Sequence, residues 1–165
     1  MSDSQKAQVQ AQFGQSAQDY VTSAGHAGGE DLARLVAWGR RRGAQRVLDV
    51  ATGCGHTALA FAGFTPAVVA IDLTLPMLEA ARGFVRGKGA VNVRFLAADV
   101  EALPFPDGSF GVVTCRIAAH HFPAILPALK EVARVLKPGG SLLLQDILGH
   151  DDRELAAFID RKSVV

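Results

Sequence analysis

The chain has 165 residues, 49% of them apolar and 20% charged. Its 17 Lys and Arg stand against 16 Asp and Glu, a net charge of +1. This size and balance suit one ordinary domain and exclude a disordered chain, a collagen-like repeat and a disulfide scaffold. They also argue against nucleic-acid binding by bulk positive charge. The two cysteines, Cys54 and Cys115, form no Cys-x-x-Cys pair and have no His at ligand spacing, so no metal site is expected. The polar start, Met1 to Lys6, has no apolar core of a signal peptide, and no run of 18 apolar residues exists. A cytoplasmic, reduced protein without a membrane span is the expectation.

In chain order, a polar, Gln-rich helical stretch from Ser4 to Tyr20 comes first. A second helix from Glu30 to Arg42 has acids in its first turn and Arg40, Arg41 and Arg42 in its last, followed by Gly43. That is the order a helix dipole favours. From Arg46 onward, short apolar runs alternate with helical patterns. Strands are predicted at Val47–Val50, Ala67–Asp72, Val91–Phe95, Phe110–Cys115 and Ser141–Gln145. Helices are predicted at Thr57–Phe64, at Leu75–Arg86 with Thr74 as N-cap and Pro76 in the first turn, and at Ile125–Leu136. The last carries an apolar stripe of Leu126, Leu129, Val132, Ala133 and Leu136, and Pro138-Gly139-Gly140 stops it. Apolar strands separated by helices imply a doubly wound α/β fold, its parallel sheet covered on both faces. The expected division is a helical leader or lid over 1–45 and an α/β domain over 46–165.

The segment Val47-Leu48-Asp49-Val50-Ala51-Thr52-Gly53-Cys54-Gly55-His56-Thr57-Ala58 places two glycines between a strand and a helix. Such a loop turns tightly and brings backbone N–H groups to a ligand. By pattern alone it matches the dinucleotide fingerprint, a weak signal. Asp49, on the strand just ahead of the loop, points to a different ligand. A phosphate about 5 Å away at an effective dielectric of about 20 would be repelled by roughly 3 kcal/mol, whereas a sulfonium or ammonium would be attracted. Asp72, 23 residues further on, ends the second strand and can accept ribose hydroxyls, which fits NAD and S-adenosylmethionine equally. Asp99 follows the third strand, where it can accept from an adenine amino group or simply close a turn.

These segments, with Ile71-Asp72-Leu73, Pro76-Met77-Leu78, Ala98 to Phe105 and Leu136 to Gly140, resemble the successive motifs of class I S-adenosylmethionine-dependent methyltransferases. The resemblance spans roughly Phe13 to Asp146 and is closest to the ubiquinone/menaquinone biosynthesis group. It implies a Rossmann-like sheet of order 3-2-1-4-5 and S-adenosyl-L-methionine as cofactor. Asp49 and the backbone of Ala51, Thr52, Gly53 and Gly55 would hold the methionine part. Asp72 would meet the ribose, Met77 the adenine face, and Asp99 with Val100 the adenine edge, with Leu73 a further cofactor-binding residue. Family members often carry glycine where Ala51 stands. The resemblance also implies a leader folded over the cofactor, with Tyr20 near the acceptor. His26 reads as a loop residue.

The fourth strand runs into Arg116-Ile117-Ala118-Ala119-His120-His121, the end that faces the acceptor in related enzymes. Arg116 is a candidate to orient an anionic or enolic acceptor by a bidentate contact, its alternative being an ordinary ion pair. His120 and His121 are candidates for a general base, or else packing and solvated residues. A nucleophilic Cys115 is a poor reading, because nothing suggests a lowered pKa. Family members continue past the fifth strand with a helix and an antiparallel strand pair. Here 19 residues follow Asp146, enough for one short helix over Asp151 to Asp160. An open fifth-strand edge would then invite a homodimer. The expected function is methyl transfer to a small-molecule acceptor. The alternatives are a cofactor-binding domain without turnover and an NAD-linked oxidoreductase.

Overall fold

The computed structural model describes residues 28–147. Five strands, β1 (Arg46–Val50), β2 (Ala67–Asp72), β3 (Val93–Ala97), β4 (Phe110–Arg116) and β5 (Leu136–Gln145), form one parallel sheet of order β3-β2-β1-β4-β5. The helices are α1 (Glu30–Arg42), α2 (His56–Ala62), α3 (Leu75–Gly87) and α4 (Ile125–Val135). The expected doubly wound α/β fold and strand order are observed. Among the described residues, no helix is long and apolar enough to cross a membrane.

Strand periodicity divides the core into two layers. Val47, Val68 and Val112 lie side by side and pack with Leu35 of α1 and Phe61 of α2. Their chain neighbours Leu48, Val69 and Val113 point the other way, onto Val132 and Val135 of α4. Thus α1, the described part of the predicted leader, is one of the layers covering the sheet. It approaches α2 closely because Gly39 is buried where a Cβ would run into the Phe61 ring. It ends as its sequence indicates, on Gly43 in the left-handed region at φ 59°, after Arg40–Arg42.

Two expectations need correction. The buried side of α4 is Ala128, Val132 and Val135, whereas Leu126 is 68% exposed and Leu129 and Ala133 also face outward. Two adjacent apolar stripes can be drawn along this helix. The one holding the small Ala128 lets the helix lie closer to the sheet. Second, Pro138–Gly140 does not precede the fifth strand. Leu136 already pairs with Phe110, and the chain bulges before Ser141 pairs with Val112. The predicted segment Ser141–Gln145 is the regular part of this longer strand.

The sheet order reverses between β1 and β4, and ligands bind at such a switch point in open α/β sheets. The loop after β3 is held against α4. Glu131 accepts the Leu103 N–H at 2.8 Å, and Arg134 donates to the Leu103 and Phe105 carbonyls at 2.9 and 2.7 Å.

Candidate cofactor and acceptor site

A cleft of about 330 Å³ lies across the carboxyl ends of β1, β2 and β4. It brings together Asp49, Ala51, Thr52, Gly53, Asp72, Leu73, Met77, Asp99, Val100, Arg116, His120 and His121, all singled out from the sequence. Gly55 is not among its lining residues. It adopts φ 83°, and a Cβ there would sit 3.0 Å from Val85 and 3.2 Å from Ala81. Its missing side chain therefore serves the packing of the loop against α3. Gly53, at φ 54°, is the glycine with open space where a Cβ would stand. Tyr20, His26 and the predicted Asp151–Asp160 helix lie outside the described residues.

Two lining residues carry backbone strain. Ala51 at φ 50° and Ile117 at φ 51° both adopt the left-handed region without being glycine. The Ala51 conformation gives a physical reason why glycine suits that position.

Asp49 lies at the floor of the cleft and is almost wholly buried. The Thr52 hydroxyl donates to one oxygen at 2.6 Å and the Thr114 hydroxyl to the other at 2.7 Å. Burial pushes its pKa up to about 6. The two threonines, the Ala58 N–H and the Arg116 charge pull in the opposite direction. Asp49 thus both ties the glycine loop to β4 and presents negative charge beneath the cleft. Asp72 ties the same loop to the next turn, accepting the Gly53 N–H and the Thr74 N–H at 2.9 Å each. Burial raises its pKa as well, against the pull of these N–H groups and the Thr74 hydroxyl. Thr74 is the N-cap residue as expected, but its side chain makes no capping bond. In the turn after β3, one Asp99 oxygen accepts the Glu101 N–H at 2.9 Å, so the turn role is realised.

On the β4 side, Arg116 is buried and two of its nitrogens converge on one oxygen of Asp31 in α1, at 2.6 and 2.5 Å. The contact it was expected to offer an acceptor is made to Asp31. His120 and His121 sit on a short 3-10 turn (Ala119–His121) with their rings 3.9 Å apart. Nδ1 of His120 lies 2.6 Å from Asp146, just after β5. Burial pushes the thiols of Cys54 and Cys115 up to about 11 and 12, which agrees with the rejection of Cys115 as a nucleophile.

Sequence reasoning missed Thr114, Asp31 and Asp146. Thr114 had a signal, a hydroxyl inside the apolar run Val112-Val113-Thr114-Cys115. Asp146 had another, because it stands at a strand end as Asp72 does. Asp31 had none beyond its place in a helix first turn.

The residues present fit a cationic nucleoside donor. Among the described residues, four carboxylates line the cleft, from Asp49, Asp72, Asp99 and Glu101, and the one arginine there is already paired. A diphosphate would meet net repulsion, whereas a sulfonium would be attracted. Gly53 leaves the loop open to close approach.

Residues 48–144 match the family model described as a methyltransferase domain. The chain is 43% identical over 148 residues to the uncharacterized methyltransferase YcgJ of Bacillus subtilis, covering 90% of this chain and 58% of that protein. It is 42% identical over 113 residues to the demethylmenaquinone methyltransferase of Thermus thermophilus, covering 67% and 51% respectively. The crystal structure of YcgJ superposes with a TM-score of 0.72 at 43% identity, over 80% of this chain and 56% of that one. The chain therefore spans between half and three fifths of the length of these relatives. With the family model running from within β1 to near the end of β5, and with the class I strand order around an acid-lined cleft, the chain belongs to the methyltransferase-domain family and resembles its ubiquinone/menaquinone group.

Proposed function

We propose that the chain binds S-adenosyl-L-methionine in this cleft and directs its methyl group to a small, largely apolar acceptor by in-line displacement. The observation that carries this reading is the charge pattern among the described residues, four lining carboxylates and one paired arginine beside the open wall at Gly53. The bound cofactor supplies an electrophilic methyl on a sulfonium. The chain's own residues bind and orient. Asp49 offers its charge to the methionine end and Asp72 its carboxylate to the ribose. Met77 and Leu73 form apolar wall, and Asp99 with Val100 borders the adenine. His120, His121 and Phe122 flank the acceptor side and exclude water. Arg116 holds α1 against that side through Asp31. Holding acceptor and methyl in line lowers the barrier by about 7–11 kcal/mol in favourable cases.

Calorimetry with S-adenosylhomocysteine and with NAD tests the reading. Binding of the first and not of the second is expected, and tight NAD binding overturns it. A chain that binds S-adenosylhomocysteine but transfers no methyl to any acceptor would be a binding domain. The same reading includes pairing of two copies along β5, whose outer side meets no other described strand. A monomer in gel filtration removes that part alone.

A further inference from the structure

The segment between β3 and β4 has two ends with different surroundings. Asp99, Val100 and Glu101 line the cleft, whereas Leu103 is buried in the core and Phe105 packs beside it. The second end is gripped by two residues of α4 that do not line the cleft, Glu131 and Arg134. An arginine carries five N–H donors, and Arg134 places every one. Its Nε donates to Glu131 at 2.8 Å. Its Nη1 donates to the Phe105 carbonyl at 2.7 Å and to Asp107 at 2.8 Å, and its Nη2 to the Leu103 carbonyl at 2.9 Å and to Glu131 at 2.7 Å. Glu131 in turn accepts the Leu103 N–H at 2.8 Å. Leu103 is therefore held by both its N–H and its carbonyl. The helix does not need this grip to stay on the sheet, because Ala128, Val132 and Val135 already bury its inner side.

The grip reaches the cleft through a short, closed link. Between Asp99 and Leu103, the Ala102 N–H donates to the Asp99 carbonyl at 3.1 Å and the Glu101 N–H to the Asp99 carboxylate at 2.9 Å. A second tie comes from Glu101, whose carboxylate accepts the Ala124 N–H at the start of α4 at 3.2 Å. These turns leave the chain little slack, so the place of Leu103 decides the place of the Asp99 carboxylate. We propose that Glu131 and Arg134 are positioning residues for base recognition. From outside the cleft they hold Asp99 where its carboxylate accepts the amino group of adenine and rejects an oxo group at the same ring position. This rests on the reading above, in which Asp99 borders the adenine. An amino group donates to a carboxylate, whereas an oxo group sets one acceptor against another. Distance matters as much as chemistry, since a hydrogen bond sound at about 2.9 Å is gone at about 3.6 Å.

Calorimetry on the full chain with S-adenosylhomocysteine and with its oxo counterpart, S-inosylhomocysteine, reads the preference as a ratio of affinities. The wild type should favour the adenosyl compound about 10-fold or more. In Arg134→Lys, which keeps the charge but not the planar fork, the ratio should fall about 3-fold or more through loss of adenosyl affinity. Glu131→Ala should act alike, and Glu131→Gln, which keeps an oxygen for the Leu103 N–H, should recover part of the ratio. Lys130→Ala, at an exposed neighbour, should leave it unchanged. A clamp that serves stability alone would lower the melting temperature or weaken both ligands equally, so an unchanged ratio in Arg134→Lys and Glu131→Gln overturns the proposal. In an Asp99→Ala background, Arg134→Lys should move the ratio no further. Additive effects would mean that the pair does not act through Asp99 and overturn it as well. A wild type that binds neither compound sinks the cofactor reading. Adenosyl binding with no preference, or with a preference the variants do not move, sinks this inference alone.

Discussion

The two flanks of the cleft are built in opposite ways. The β1–β2 flank is largely local, since its loop, its acid and its turn all fall between Asp49 and Met77. The bond from Gly53 to Asp72 crosses only 19 positions. The β4–β5 flank depends on partners far along the chain: Arg116 meets Asp31 across 85 positions and His120 meets Asp146 across 26. Glycines and strand ends can mark a locally built flank in a sequence. A flank built by distant pairs shows only its separate halves. The exception on the first flank, Asp49 with Thr114, is also the contact that sequence reasoning missed there.

The distant pairs give the largest expected effect. Asp31→Ala leaves the buried Arg116 guanidinium without its carboxylate and should lower stability by about 3 kcal/mol, read from urea unfolding. Adding Arg116→Met should recover part of that loss, because no buried charge then remains. An unchanged midpoint in the single variant would put both flanks on the same footing. Next comes the local flank. Asp72→Ala should weaken S-adenosylhomocysteine binding by about 1.5–3 kcal/mol, roughly 10- to 150-fold by calorimetry, and should also loosen the Gly53 turn.

Asp49 sharpens the contrast through pH. Its pKa in the fold, about 6, lies above its ordinary 3.8 because burial disfavours the charge. The folded state therefore holds this proton more tightly than the unfolded chain does. Its contribution to stability is complete below about pH 4 and is lost as pH rises through about 6, a difference of about 3 kcal/mol. Asp49→Asn should flatten the melting temperature across that window. In the wild type, affinity for the ammonium-bearing S-adenosylhomocysteine should fall as pH drops below about 6, because the cationic ligand prefers the ionised acid. A flat affinity profile would remove Asp49 from the cofactor's electrostatics. The smallest effect is expected for Ala51→Gly. Relief of the left-handed φ of 50° outweighs the added freedom of the unfolded chain by at most about 1 kcal/mol, a gain measurable in urea.

Much of the site was legible because its signals are local. An acid following an apolar run places Asp72 and Asp99 at one sheet edge whatever the details of packing. Gly55 shows the limit of that logic. It shares its pattern with Gly53, but one glycine opens to the cleft and the other makes room for Val85 of α3. Nothing within the loop distinguishes them. The α4 stripe failed for a related reason, since Leu126 and Leu129 are as apolar as the residues that are buried. Only the distance to the sheet selects the side carrying Ala128.

By itself, then, the sequence determined the alternation of strands and helices and the acids along the carboxyl edge, while the sheet order was implied by the resemblance of its motifs. The alternation and the acids follow from periodicity and turn chemistry within a few residues. The tertiary structure alone decided which carboxylate serves which partner: Asp31 the arginine, Asp146 the histidine, Asp49 a threonine on another strand. Charge and hydrogen bonding act through distance in space, and that distance exists only once the sheet has brought β1, β4 and β5 side by side.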